Sequence, residues 1–164
     1  MYITLEEYTQ LYDNIEERLF NRLCFDACRV MDIHTTGIDN VKKLKLYFPT
    51  DEDAALAVKH CTAKLIHLLH QIQEVEAAAA MGRGYTETEQ GLQRRVISRV
   101  EAGNEAISYS ETKLANTTID AAAADKTVRD KLLAETVWEY LTGVEDCNGV
   151  NLLFMGKYPR RHLC

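Results

Sequence analysis

Between Ala54 and Ala79 the apolar residues recur at alternating intervals of four and three: Ala54, Val58, Cys61, Leu65, Leu68, Ile72, Val75 and Ala79. The four-and-three alternation, about 3.5 residues per interval, is that of a helical seam and excludes the two-residue alternation of a strand. No glycine or proline interrupts it. The spacing predicts one helix over 51–81, capped by Thr50 with Asp53, and roughly 45 Å long at 1.5 Å per residue. Leu56, Ile66 and Leu69 fall outside the seam and widen the apolar face, so this helix is expected to pack on more than one neighbour.

The rest of the chain supplies those neighbours. Thr4 and Glu7 form a capping-box pattern at the start of a short helix reaching Tyr12, and Asn14 with Glu17 reads as the next cap. From Ile15 to His34 the residues Leu19, Phe20, Leu23, Cys24, Ala27, Val30, Met31 and His34 repeat at threes and fours, and Gly37 closes the run. Asp39 can cap a short helix through Val41, Leu44 and Tyr47, stopped at Phe48-Pro49. A second long helix is expected from Asp120 to Thr142. Between the two long helices, Tyr85 to Gln93 reads as a polar, mobile stretch. Arg95–Val100 and Glu105–Ser110 alternate around Glu101-Ala-Gly-Asn, which reads as a β-hairpin with Gly103 near its turn. The expected fold is therefore mainly α: a helical bundle with two long helices and a β-hairpin inserted between them. A single domain would span 1–156 with the hairpin at about 94–110, followed by a basic tail over 157–164.

Charge and cysteine usage narrow the class. The net charge is −6, and Lys157, Arg160 and Arg161 put +3 in the last eight residues, leaving −9 on the body. Such a body does not grip DNA phosphates in bulk. The tail reads either as a contact for an acidic surface or a phosphate, or as a solvated end. No apolar run approaches the ~20 residues of a membrane span, and the first residues do not resemble a secretory leader. Five cysteines, an odd number at wide spacings, read as a reduced intracellular set. Cys24 and Cys28 share a helical face, where core packing is favoured over a ligand role.

Reactive chemistry finds little footing. Phosphate loops, paired Cys-x-x-Cys, His-Glu-x-x-His and nucleophile-elbow motifs are all missing from the sequence. His60, His67 and His70 share one flank of the long helix with Glu74, but Lys64 lies among them and would repel a cation. Cys61 sits in the apolar seam, where a thiolate is costly. Arg83, Arg94, Arg95 and Arg99 are offset by Glu87, Glu89, Glu101 and Glu105. No enzyme, cofactor or metal is expected. A small helical regulator or DNA-binding module is one class left open, and a metal-dependent enzyme using His67, His70 and Glu74 another.

Three blocks carry a resemblance. They are Tyr2-Ile-Thr-Leu-Glu-Glu-Tyr-Thr-Gln-Leu-Tyr with Met31-Asp-Ile-His-Thr-Thr-Gly-Ile-Asp-Asn-Val-Lys-Lys-Leu; Val96-Ile-Ser-Arg-Val-Glu-Ala-Gly-Asn-Glu-Ala-Ile-Ser-Tyr-Ser; and Tyr140-Leu-Thr-Gly with Asn148-Gly-Val-Asn-Leu-Leu-Phe-Met-Gly-Lys-Tyr-Pro. In order and spacing the chain resembles the head–tail connector proteins, also called adaptor or head-completion proteins, of tailed phages and of prophages of Gram-positive bacteria. The resemblance implies a structural virion protein, made in the host cytoplasm and placed at the head–tail interface. Copies would form a head-to-tail ring of about twelve subunits under the portal protein. A next tail-side connector or stopper protein would follow, and DNA would pass through without sequence-specific binding or any membrane contact. It further implies portal docking by Val150, Leu152, Leu153, Phe154, Met155 and Tyr158. A subunit or channel hairpin would carry Val96, Ile97, Val100, Gly103, Asn104, Ile107 and Tyr109.

Overall fold

A computed structural model describes residues 1–80, 85–88, 91–101, 106–111 and 117–159. The chain is mainly helical and divides into two compact units, 1–69 with 133–164, and 70–132.

The first unit opens with α1 (Leu5–Thr9). Its capping box is complete: Thr4 Oγ1 accepts from the Glu7 N–H, and Glu7 accepts from the Thr4 N–H. The helix stops before Tyr12, which stacks on Tyr8 instead. Next comes α2 (Glu17–Thr35), which buries Phe20, Leu23, Cys24, Ala27 and Met31 on one stripe. Its N-cap is Glu16, without a side-chain cap bond, so the expected Asn14 cap is not made. After α2 the chain turns through Gly37–Asn40, with Asn40 left-handed at φ 59°. A single bridge pairs Thr36 with Lys42 before the short α3 (Lys43–Leu46). This helix is shorter than expected: Lys42 stands at its N-cap without a side-chain cap bond, and Asp39 is not its cap.

The long α4 (Glu52–Ala80) follows. Asp51, not Thr50, caps it through Oδ2 to the Ala54 N–H at 2.9 Å. The seam residues Val58, Cys61, Leu65, Leu68 and Ile72 are buried, and so are Thr62, Ala63 and Ile66. The middle of α4 is thus enclosed around most of its girth, which explains why the apolar face is wider than a coiled-coil seam. Leu56, expected to widen that face, is instead largely exposed. Burial pushes the Cys61 thiol up to about 12, so it is not a nucleophile.

In the second unit the backbone forms β1 (Tyr85–Thr88), β2 (Gly91–Glu101) and β3 (Ala106–Glu111), an antiparallel sheet in the order β1-β2-β3. β1 lies inside the stretch read from the sequence as a mobile polar segment. β2 pairs with β3 through Val96↔Ser110, Ile97↔Tyr109 and Val100↔Ile107, with a register shift between Ile97 and Arg99. Gly103 and Asn104 lie outside the described residues. Next is α5 (Thr118–Ala124), capped by reciprocal Thr117–Asp120 bonds, each 3.2 Å.

The expected second long helix is broken. Asp125 is extended at φ −124° and ψ 119°, and its Oδ1 accepts from the Thr127 N–H at 2.7 Å to start α6 (Lys126–Leu141). An aspartate bonded to the amide two residues on is a helix-initiating arrangement, and here it prevails over the helix-forming alanines before it. Leu133, Val137 and Leu141 of α6 are buried, while Trp138 is largely exposed. Cys24, Cys28 and Cys61 are free thiols, but Cys147 is disulfide-bonded, against the expected all-reduced set. Spacing along a chain does not reveal which thiols the fold brings together.

Candidate functional site

Beyond α6 the chain reverses at Gly143, whose φ of +80° favours glycine. Asp146 then organises a tight loop. Its Oδ1 accepts from the N–H groups of Asn148 and Val150, both at 2.9 Å, and Gly149 takes the left-handed position at φ +72°. The run Asp146-Cys-Asn-Gly, a turn signal by composition, forms this Asx turn. The turn returns Asn151–Tyr158 to the α2–α3 region of the same unit.

A buried cation fixes the returning segment. The Lys43 side chain is enclosed, and its ammonium donates to three backbone carbonyls: Leu152 at 2.6 Å, Phe154 at 2.5 Å and Asn151 at 3.3 Å. The Phe154 ring centroid lies 5.9 Å from Nζ. Burial lowers the Lys43 pKa, opposed by the charges of Asp146 and Asp39. A lysine offers three donors, and here each meets an acceptor.

Tyr158 forms the second anchor. Its hydroxyl donates to Asp146 Oδ2 at 2.6 Å and accepts from Asn148 Nδ2 at 2.9 Å. Its ring stacks on Tyr47 with centroids 4.6 Å apart and planes 4° from parallel. Burial, with Asp146 adding to it, pushes the Tyr158 phenol up to about 12. The Tyr158 N–H donates to Asp39 Oδ2 at 2.8 Å, and this bond first of all lowers the Asp39 pKa. Asp39, expected to cap a helix, therefore ties the α2–α3 turn to the C-terminal segment.

Two glycines let the backbones meet. A Cβ on Gly37 would stand 2.5 Å from the Gly156 carbonyl oxygen, and a Cβ on Gly156 would stand 2.3 Å from the Phe154 ring. The Ile38 N–H donates to the Met155 carbonyl at 3.0 Å. The outcome is a locked segment with an apolar outer surface: Ile38 is 79% exposed, Phe154 46% and Met155 47%.

Of the six residues that the resemblance marks for docking, Phe154 and Met155 are exposed and adjoin Ile38. Val150 is half-buried, whereas Leu152, Leu153 and Tyr158 are buried. Of the hairpin set, Val96, Ile97 and Val100 lie in β2, and Ile107 and Tyr109 in β3. Ile38 and Lys43 were not singled out from the sequence, and Asp146 was marked there only as the start of a turn. Lys43 looks no different there from Lys42 and Lys45 beside it, and only burial distinguishes it.

The histidine flank does not assemble into a metal centre. His67 stacks on Tyr12 at 4.3 Å, and His70 Nε2 lies 3.9 Å from Glu74. Among the described residues no three His, Cys, Asp or Glu side chains converge on one point. Among the described residues, too, no helix is long and apolar enough to cross a membrane. Comparison with protein-family models, with curated proteins and with solved structures finds no match.

Proposed function

We propose that this chain is a structural head–tail connector of a tailed phage or prophage. It joins as a ring of copies beneath the portal protein, hands over to the next tail-side protein, and lets DNA pass through the ring. The observation that carries this reading is the exposed trio Ile38, Phe154 and Met155 on a segment held by buried polar bonds. Exposed aromatic and methionine side chains on a fixed backbone suit docking, because little conformational entropy is lost on binding. In this role Phe154 and Met155 enter the portal surface, and Leu152, Leu153 and Tyr158 hold them in place from within. The strands that carry Val96, Ile97, Val100, Ile107 and Tyr109 face neighbouring copies or the channel. A body of net −9 without its last eight residues suits a conduit that must not retain DNA.

The test is native mass spectrometry and cryo-electron microscopy of the chain mixed with its cognate portal. A closed ring on the portal is expected. A Phe154→Asp, Met155→Asp double variant, with an unchanged circular dichroism spectrum, should lose the portal and keep its fold. Free monomer alone in the presence of portal would overturn the proposal.

A further inference from the structure

A cavity of about 890 Å³ opens in the first unit beside α2, lined by the first two residues, α2, the α2–α3 turn and α3. Phe25 and Ile33 give it apolar walls, and both are largely exposed. Arg29, Lys42 and Lys45 supply positive charge. Asp32 is the one acid among the described lining residues, and it is already engaged by Lys45 at 2.8 Å and by the Tyr2 hydroxyl at 2.5 Å.

Cys28 is the thiol in this lining, half-buried and free. One helical turn before it, the buried Cys24 Sγ lies 4.0 Å away, within reach to donate its S–H. The Tyr2 backbone N–H also faces the Cys28 sulfur. Cys24 first of all, and then Tyr2, hold the Cys28 pKa below its ordinary value, against burial and the Asp32 carboxylate. Cys24 itself is pushed up, first by this same bond and then by burial. The sulfur that faces the cavity is thus the one whose anion is stabilised, and the thiolate is the nucleophile in thiol chemistry.

We infer that Cys28 is a thiol-exchange site whose cavity takes small anionic disulfides. The Cys28 thiolate attacks one sulfur of the bound disulfide. A new S–S bond forms to Cys28 as the reagent's own S–S bond breaks, and the other half leaves as a thiolate with the electron pair. The Cys28 proton goes to solvent; the protein sulfur is oxidised and the departing half is reduced. Arg29, Lys42 and Lys45 concentrate the anion, and Phe25 and Ile33 contact its carbon skeleton. This inference does not depend on the connector reading.

The experiment uses the full chain at about pH 7 and low salt, with two probes: dithiobis(nitrobenzoate), a dianion, and neutral dithiodipyridine. Peptide mass spectrometry locates the adduct, and absorbance gives the rates. Cys28 is expected to carry the adduct in the folded protein, and Cys28→Ser to lose it. An Arg29→Gln, Lys42→Gln variant changes only exposed side chains. It should slow the dianion several-fold while leaving the neutral probe unchanged. Cys24→Ala should slow both probes. Two results would each overturn the inference. One is a Cys28 that is modified in urea but not in the folded chain. The other is an unchanged ratio of the two rates in the Arg29, Lys42 variant.

Discussion

Replacing Lys43 by methionine keeps the length of the side chain and removes its three donors. The consequence can be worked from the geometry. The Leu152 carbonyl lies in a fully buried bond at 2.6 Å, so it is left unpaired. The Phe154 and Asn151 bonds are part-buried, and the Asn151 carbonyl keeps the Phe154 N–H at 3.0 Å. A bond to a charged donor contributes about 1.5–3 kcal/mol net, and a stranded buried acceptor costs about 1–3 kcal/mol. Relief of the lysine's own desolvation, which lowers its pKa, works in the opposite direction. The net expectation is a loss of about 2–4 kcal/mol, at the high end for one substitution. Urea unfolding followed by far-ultraviolet circular dichroism measures it. Amide exchange should report the largest local loss of protection between Leu152 and Tyr158. A loss below about 0.5 kcal/mol, with exchange unchanged in that segment, would refute the claim that the ammonium holds it.

Three further expectations are open to measurement. Gly37→Ala should destabilise more than Gly156→Ala, because the first drives a Cβ into backbone and the second into an exposed ring that can swing away; about 2–3 against about 1 kcal/mol is expected from urea unfolding. Tyr158→Phe strips the hydroxyl from Asp146 and Asn148 and should cost about 1–2 kcal/mol. The Glu7 pKa is lowered, first by its bond to Lys59 and then by the Thr4 backbone. Its contribution is therefore full above the unfolded carboxylate value and is lost as pH falls through the lower folded value. The stability gap between wild type and Glu7→Gln should close on acidification from about pH 6 to below pH 3, and a constant gap would contradict the assignment.

Part of the fold was legible because it rests on local patterns. The seam through Val58, Cys61, Leu65, Leu68 and Ile72 is buried as its spacing requires, and so is the α2 stripe through Phe20, Leu23, Cys24, Ala27 and Met31. The Thr4–Glu7 capping box forms because both partners lie within one helical turn. The break at Asp125 was not legible. Ala121 to Ala124 favour helix, and one aspartate costs a helix only tenths of a kcal/mol, so nothing in the pattern announces that its side chain starts a new one. The candidate site was legible only as the residues from Val150 to Tyr158 that the resemblance marks, followed by a basic end. Its division into buried Leu152 and Leu153 and exposed Phe154 and Met155 is set by which way a short, irregular segment folds back. Such a segment has no periodicity from which a face can be read.

By itself, then, the sequence determined a mainly helical chain with one uninterrupted 29-residue helix, because helical periodicity and capping act between residues three or four apart. Tertiary structure alone decided that Lys43 rather than Lys42 or Lys45 becomes a buried clamp, and that Asp39 binds a residue 119 positions away. It also put the Cys28 sulfur at a cation-lined cavity. Those outcomes depend on partners more than a hundred residues distant or on a different element, and on the loss of water around them. Neither is encoded in any local spacing.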